Sequence, residues 1–132
     1  MAAPTDLISR VDLFRDLDKR ELQDLAAAMK EYTFQRGREI VTQGTGGVGF
    51  FVIADGTATV TVDGGQVAEL RPGDYFGEVA LIADVPRTAT VTADSELTCW
   101  GLTSWAFRPI VEANGTIAWK LMQGMARMLA GR

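Results

Sequence analysis

Short strand-like runs, separated by glycine-containing turns, fill this chain from about residue 32 to residue 103. In the clearest run, residues 57–62, Ala58, Val60 and Val62 alternate with threonines. Alternation with a period of two places neighbouring side chains on opposite faces of a strand, so these three residues should face a core and the threonines should face solvent. Many short strands at even spacing are typical of a sandwich or a small barrel. The predicted strands are residues 39–42, 50–53, 57–62, 67–70, 88–93 and 97–102.

Two turns between these strands can be predicted from their residue types. Asp63-Gly64-Gly65 should reverse the chain after residue 62. Arg71-Pro72-Gly73-Asp74 fits a type II turn, because proline presets the first central φ and glycine accepts the positive φ at the second. The middle of the chain is therefore β-structure with tight turns.

Helical patterns flank this β-structure. Asp18-Lys19-Arg20-Glu21 reads as a capping box, and apolar residues follow it at helical spacing, so a helix over about residues 18–30 should open the fold. After Thr103 an apolar stripe returns with helical period, and Asn114-Gly115 marks a break before it. Pro109 should shorten or kink the helix that precedes the break. The stripe consists of Ile117, Leu121, Met125, Met128 and Leu129.

The length of 132 residues accommodates one domain, and we predict a single α+β domain over residues 1–132, with C-terminal helices over about 104–130. There is no histidine, which excludes a Ser/His/Asp triad and, with Cys99 as the single cysteine, argues against a zinc site. Cys99 lies in an apolar run and is interpreted as a small core residue. The net charge of −4 gives no electrostatic footprint for nucleic acid. No long apolar span or secretory leader is evident. We therefore expect a cytoplasmic location and no membrane partner.

The run from Phe76 to Val91 carries the acid Glu78 and the guanidinium of Arg87, nine residues apart, among mostly apolar residues. An unpaired charge in such surroundings is costly, which indicates that something polar meets both groups. A short helix after Gly77 would offer backbone N–H groups to an anion, and Arg87 can add two parallel hydrogen bonds to phosphate oxygens. A ligand with a phosphate and a nearby hydroxyl would satisfy both side chains. The alternative is an internal ion pair between Glu78 and Arg87.

The sequence Phe-Gly-Glu-Val-Ala-Leu at residues 76–81, followed by Pro-Arg-Thr-Ala-Thr-Val at residues 86–91, resembles the phosphate-binding cassette of the cyclic nucleotide-binding domain family. The glycine-punctuated strands and the turn at residues 71–76 also match that family. The resemblance covers about residues 13–129, nearly the whole chain. It implies an antiparallel β-roll (double-stranded and jelly-roll-like) with flanking N- and C-terminal helices, as in cAMP receptor protein and protein kinase A regulatory subunits.

The resemblance also implies roles for individual residues. Glu78 would accept a hydrogen bond from the ribose 2′-hydroxyl, and Arg87 would bind the cyclic phosphate. A threonine at the position of Thr88 does not by itself discriminate between cAMP and cGMP in this family. The implied ligand is therefore cAMP or cGMP, with cAMP favoured. No catalytic residue, metal or cofactor is implied. The implied binding set is Phe76, Gly77, Glu78, Val79, Ala80, Arg87, Thr88 and Ala89.

The main hypothesis is therefore a non-enzymatic sensor domain in which ligand binding shifts the C-terminal helices. The alternative is an interaction module of the same fold with an empty or degenerate pocket. A cupin-like enzyme is disfavoured because its metal normally requires histidines.

The chain stops where transcription-factor relatives continue into a helix-turn-helix, so we expect no DNA-binding module. The apolar C-terminal stripe could pack on its own domain, pair with a second copy in a homodimer, or meet an unidentified effector. The glycine-rich loop 45–49 lacks the acidic residue often found there and is expected to be mobile, with little effect on the phosphate site.

Overall fold

The computed structural model of the chain describes residues 3–44, 49–77 and 87–131. The helices are α1 (Thr5–Ile8), a 3-10 helix (Asp12–Phe14), α2 (Lys19–Ala28), α3 (Ser104–Ala113) and α4 (Gly115–Ala130). The strands are β1 (Lys30–Phe34), β2 (Glu39–Val41), β3 (Gly49–Asp55), β4 (Ala58–Val62), β5 (Gly65–Leu70), β6 (Tyr75–Phe76), β7 (Thr90–Ala93) and β8 (Leu97–Thr103). The β-structure thus begins at residue 30, slightly before the predicted start.

The capping box at the start of α2 is confirmed. The Asp18 carboxylate accepts a hydrogen bond from the Glu21 backbone N–H at 2.9 Å, and the Glu21 carboxylate accepts one from the Asp18 N–H at 2.8 Å. The prediction that this helix opens the fold is wrong, because α1 and the 3-10 helix precede it. These two short helices form because Ile8 and Phe14 insert fully into the core and anchor the N-terminal segment.

The described strands form two antiparallel sheets, in the orders β1-β8-β3-β6 and β2-β7-β4-β5. This arrangement, with helices on either side in sequence, confirms the predicted α+β fold with an antiparallel β-roll. Strands β1 and β6 were not among the predicted strands. Each of them lies at an edge of the first sheet and is defined by its partner strand, β8 for β1 and β3 for β6.

The first sheet separates two cores. Its outer face contributes Phe50, Val52 and Leu102 to a core shared with the helices, and the ring of Phe14 meets Phe50 edge-on at 5.5 Å. Its inner face contributes Ile53, Leu97, Cys99 and Phe76 to a second core inside the roll. Cys99 is confirmed as a buried core residue, and burial raises the pKa of its thiol to about 12.

Both predicted turns are present. Val62 pairs with Gly65, and between them Asp63 and Gly64 adopt positive φ values of 52° and 82°, as a two-residue hairpin turn requires. In the second turn Gly73 has a φ of 93°, and the Asp74 N–H donates to the Arg71 carbonyl at 2.9 Å. Local sequence therefore determines where these strands reverse.

The C-terminal helices break at Asn114 as predicted, and the short α3 contains Pro109. Helix α4 packs against the N-terminal helices of its own chain. Ile117 and Leu121 are buried there, and a Cβ atom on Gly124 would lie 2.7 Å from the Leu13 carbonyl oxygen, so glycine permits this close approach.

Two ion pairs link α4 to the N-terminal segment. The Lys120 ammonium lies 2.6 Å from the Glu21 carboxylate, and Arg127 pairs with Asp16. The opposite side of α4 exposes the apolar side chains of Trp119 and Met122. Within the described parts of the chain, none of the helices combines the length and apolarity needed to span a membrane.

Candidate ligand-binding site

Arg87 lies where three segments of the β-roll meet. Its Nη2 atom donates a hydrogen bond to the carbonyl oxygen of Gly49, the first residue of β3, at 2.7 Å. Its own carbonyl oxygen accepts a hydrogen bond from the N–H of Gly44, just after β2, at 2.8 Å. The side chain is half-buried, and its Nε atom is shielded from solvent. The guanidinium is thus fixed by the backbone rather than extended into water.

Gly77, directly after β6, belongs to the third segment that meets at Arg87. Its φ is +86°, a value that residues with a Cβ atom rarely adopt. A Cβ atom here would lie 2.6 Å from Arg87 Nη1 and 2.6 Å from the Gly49 carbonyl oxygen. Glycine at this position therefore lets the guanidinium lie directly against the backbone at the end of β6.

An aromatic wall on the inner face of the first sheet continues from this point; it consists of Tyr32, Phe34, Phe51 and Phe76. The ring of Phe51 stacks on Phe76, which precedes Gly77, with 5.4 Å between ring centroids. Gly101 leaves room beneath the wall, since a Cβ atom there would lie 2.7 Å from the Tyr32 ring. All members except Phe76 are only half-buried, so the inside of the roll presents apolar surface close to the Arg87 cation.

The residues predicted for the site divide into two groups. The structure brings Phe76, Gly77 and Arg87 together, with Phe76 buried; Ala89 is half-buried and Thr88 exposed just beyond Arg87. Glu78, Val79 and Ala80 lie outside the described residues. The predicted ribose contact of Glu78, the short helix after Gly77 and the alternative ion pair between Glu78 and Arg87 therefore stay predictions.

The expectation that the glycine-rich loop 45–49 has little effect on the site needs correction at its last residue. Gly49 supplies the carbonyl oxygen to which Arg87 donates, and residues 45–48 lie outside the described part. A guanidinium needs an acceptor in its plane, and in the absence of an acidic side chain from this loop a backbone carbonyl provides one. Sequence reasoning missed this contact because any residue at position 49 carries the same carbonyl group.

Across residues 3–44, 49–77 and 87–131, histidine, cysteine, aspartate and glutamate do not gather in any group of three or more that could hold a metal ion. The arrangement around Arg87 can bind an anion through charge-assisted hydrogen bonds, with an apolar surface beside it for an uncharged part of the ligand.

Comparison with known proteins identifies the family. Residues 31–114 match the family model of the cyclic nucleotide-binding domain. The chain is 41% identical over 102 residues to a cAMP-dependent protein kinase regulatory subunit from Dictyostelium discoideum, covering 71% of this chain and 31% of that protein. It is 42% identical over 92 residues to the subunit of the same name from Yarrowia lipolytica, covering 68% of this chain and 24% of that protein. The chain belongs to the cyclic nucleotide-binding domain family, and it spans about a quarter to a third of the length of these relatives.

Solved structures show the same fold. The N-terminal domain of a transcriptional regulator from Streptomyces coelicolor A3(2) is 30% identical, with a TM-score of 0.85 over 96% of this chain and 91% of that chain. A cyclic nucleotide-binding-like protein from Brucella abortus is 28% identical, with a TM-score of 0.73 over 82% of this chain and 97% of that chain. A structure described as cAMP-bound PfPKA-R (141-441) is 27% identical, with a TM-score of 0.71 over 94% of this chain and 45% of that chain.

Proposed function

We propose that this chain is a cAMP-binding sensor domain whose ligand site is centred on Arg87. The observation that carries the proposal is the placement of the half-buried guanidinium against Gly77, fixed by its hydrogen bond to the Gly49 carbonyl. The relatives named as cAMP-dependent protein kinase regulatory subunits and the cAMP-bound structural neighbour support cAMP as the ligand. Arg87 would attract the phosphate locally, against the overall charge of −4.

In the proposed complex, Arg87 donates parallel hydrogen bonds to two phosphate oxygens. A guanidinium carries five N–H donors in a planar fork, so the bond to Gly49 is compatible with a bidentate phosphate contact. Thr88, Ala89 and the backbone N–H groups from Gly77 to Ala80 complete the phosphate contact. The Glu78 carboxylate accepts a hydrogen bond from the ribose 2′-hydroxyl. The aromatic wall inside the roll provides apolar surface for the rest of the nucleotide. The chain acts by binding rather than by catalysis.

Signal output is proposed to pass through α3 and α4. Ligand binding at the phosphate cassette shifts the C-terminal helices, which respond by changing their packing against the roll. The exposed Trp119 and Met122 on α4 offer a contact for an effector or for a second copy in a homodimer. Sedimentation with and without cAMP separates the homodimer from a monomer that requires another partner. We propose that the chain acts in the cytoplasm.

Isothermal titration of the wild-type protein with cAMP, cGMP and 5′-AMP tests the proposed ligand. We expect cAMP to bind more tightly than the other nucleotides; 5′-AMP carries a dianionic, freely rotating phosphate and lacks the ring that presents two oxygens to Arg87. Absence of binding of cAMP and cGMP at millimolar concentration would overturn the sensor function and favour an interaction module with an empty pocket.

Arg87→Ala tests the proposed site. It should weaken cAMP binding at least tenfold, because each charge-assisted hydrogen bond contributes roughly 1.5–3 kcal/mol. Arg36→Ala is the matched control, since Arg36 is exposed in the turn between β1 and β2. Equal loss of affinity in both variants would show a general charge effect rather than a phosphate site. Circular dichroism of each variant checks that the fold is kept.

A further inference from the structure

Two backbone donors join the segment just after β2 to Thr90, the first residue of β7, and to Arg87, three residues before it. The Gln43 N–H donates to the Thr90 hydroxyl at 2.9 Å, and the next N–H, that of Gly44, donates to the Arg87 carbonyl at 2.8 Å. Strand β2 pairs with β7 only as far as Val41 and Val91. These two hydrogen bonds therefore continue the contact between the two segments beyond the last ladder pair, up to the residue that carries the guanidinium.

The side chain of Gln43 forms a second, reciprocal connection to the hairpin between β4 and β5. Its Nε2 atom donates to the Asp63 carboxylate at 2.8 Å, and its Oε1 atom accepts from the Asp63 backbone N–H at 2.8 Å. Asp63 has a positive φ of 52° in the hairpin turn, so its backbone direction is fixed by the turn itself. Both ends of the Gln43 amide are thus held by one residue of a rigid turn.

The order of the strands explains how the contact between Gln43 and Asp63 can fix the backbone position of Arg87. Strand β7 lies between β2 and β4 in the second sheet, and Thr90, its first residue, pairs with Thr61 of β4. The amide of Gln43 therefore spans from the β2 side to the β4 side across the start of β7. Because Thr90 and Arg87 are hydrogen-bonded to the same two-residue segment, fixing Gln43 also fixes the backbone position of Arg87.

We propose that Gln43 is a positioning residue for Arg87 and, through it, for the affinity of the cyclic-nucleotide site. Gln43 and Asp63 form a lock between the β4–β5 hairpin and the segment after β2, and the lock holds Arg87 where its guanidinium meets Gly77 and Gly49. Neither residue belongs to the predicted binding set. The effect on nucleotide affinity rests on the proposed function, whereas the effect on the Arg87 side chain does not.

Two substitutions that exchange the amide and the carboxylate of this pair, made singly and together, test the lock. Gln43→Glu replaces the amide donor by a carboxylate that faces the Asp63 carboxylate, so the lock should open by repulsion. Asp63→Asn keeps an acceptor for Gln43 and suits a positive φ, so the lock should persist. In the variant that combines both substitutions, the amide introduced at position 63 donates to the carboxylate introduced at position 43. The connection should then form again with donor and acceptor exchanged.

The first readout is the dissociation constant for cAMP, measured by isothermal titration. We expect Gln43→Glu to weaken cAMP binding by about tenfold, because a hydrogen bond is lost and a repulsion is added. The affinity of the double variant should recover to within about threefold of the wild type. Thr59→Val is the matched control, since it removes a similar exposed hydrogen bond to Asp94, at 2.8 Å, in the same sheet. It should leave the affinity unchanged.

The second readout needs no ligand: the NMR signal of the Arg87 Nε–Hε group, assigned by its disappearance in Arg87→Lys. This Nε atom is shielded from solvent. The signal should shift in Gln43→Glu and return toward its wild-type position in the double variant. An unchanged signal in Gln43→Glu overturns the lock, as does a shifted signal that the double variant does not restore. If the wild type binds no cyclic nucleotide, the proposed function fails while this signal still decides the lock.

Discussion

The helical side of the molecule and the Arg87 end of the β-roll are held together in different ways. On the helical side, Ile8, Leu25 and Ile117 are completely buried, and the contacts of α4 are supplemented by ion pairs. At the Arg87 end, the aromatic side chains are mostly half-buried, and the contacts that fix the guanidinium are backbone hydrogen bonds and the close approach of Gly77.

This difference indicates which property a substitution should change. Burial on the helical side is spread over many side chains, so removing one of them lowers the free energy of unfolding without moving the site. At the Arg87 end, a displacement caused by one added methyl group reaches the guanidinium directly, so affinity should fall together with stability. A substitution in each region, with stability and affinity measured for both, tests this difference.

The largest effect on stability is expected for Leu25→Ala. It should lower the free energy of unfolding by about 2–5 kcal/mol, because it leaves a cavity in the helical core. Urea denaturation measures this loss, and cAMP affinity of the folded fraction should stay within about twofold of the wild type. Leu25→Met, which nearly conserves volume, is the control and should cost less than about 1.5 kcal/mol. A large change in affinity with Leu25→Ala would contradict the separation of the two regions.

The next largest effect is expected for Gly77→Ala. The positive φ costs about 1–3 kcal/mol of stability, and the added methyl group must displace Arg87 or Gly49, so cAMP affinity should fall at least tenfold. Gly37→Ala is the matched control. Gly37 has nearly the same φ, +87°, but nothing lies within 4 Å of the position of its Cβ atom. Similar losses of affinity in the two variants would show that backbone strain, rather than contact with Arg87, controls the site.

A smaller effect with a defined pH dependence is expected for Lys120→Met. The hydrogen bond from Lys120 to Glu21 raises the pKa of the ammonium above its usual value of 10.5. A raised pKa in the folded state means that the ion pair stabilises the protein below pH 10.5 and that this contribution is lost as the pH rises through the folded-state pKa.

Thermal unfolding of the wild type and Lys120→Met checks this dependence. The wild type should have the higher Tm near neutral pH, and the difference should narrow above pH 10.5. Lys30→Met, at an exposed position at the start of β1, controls for the loss of a positive charge. A difference that stays constant through this pH range would show that the aliphatic part of Lys120, rather than its charge, stabilises α4.

Local signals in the sequence were sufficient for the elements that depend on neighbouring residues. The capping box at Asp18, the Asp63-Gly64 hairpin turn and the type II turn at Gly73 all have the predicted geometry. These features could be predicted because their hydrogen bonds join residues within a few positions of each other.

The features that sequence reasoning missed depend on distant partners. Strand β6 contains only residues 75 and 76 and is a strand because it pairs with Phe51 and Val52. The acceptor for Arg87 is a backbone carbonyl 38 residues away, and the Gln43–Asp63 connection joins residues 20 apart. Neither a carbonyl group nor a half-buried glutamine carries a sequence signature, so only the folded arrangement shows their relation to the site.

Titration of Arg87→Lys with cAMP shows whether Arg87 binds a cyclic phosphate through its planar fork. Lysine keeps the positive charge but cannot form the bidentate contact. The expected result is at least a tenfold increase in the dissociation constant relative to the wild type, with the fold retained. An Arg87→Lys protein that binds cAMP as tightly as the wild type would contradict it.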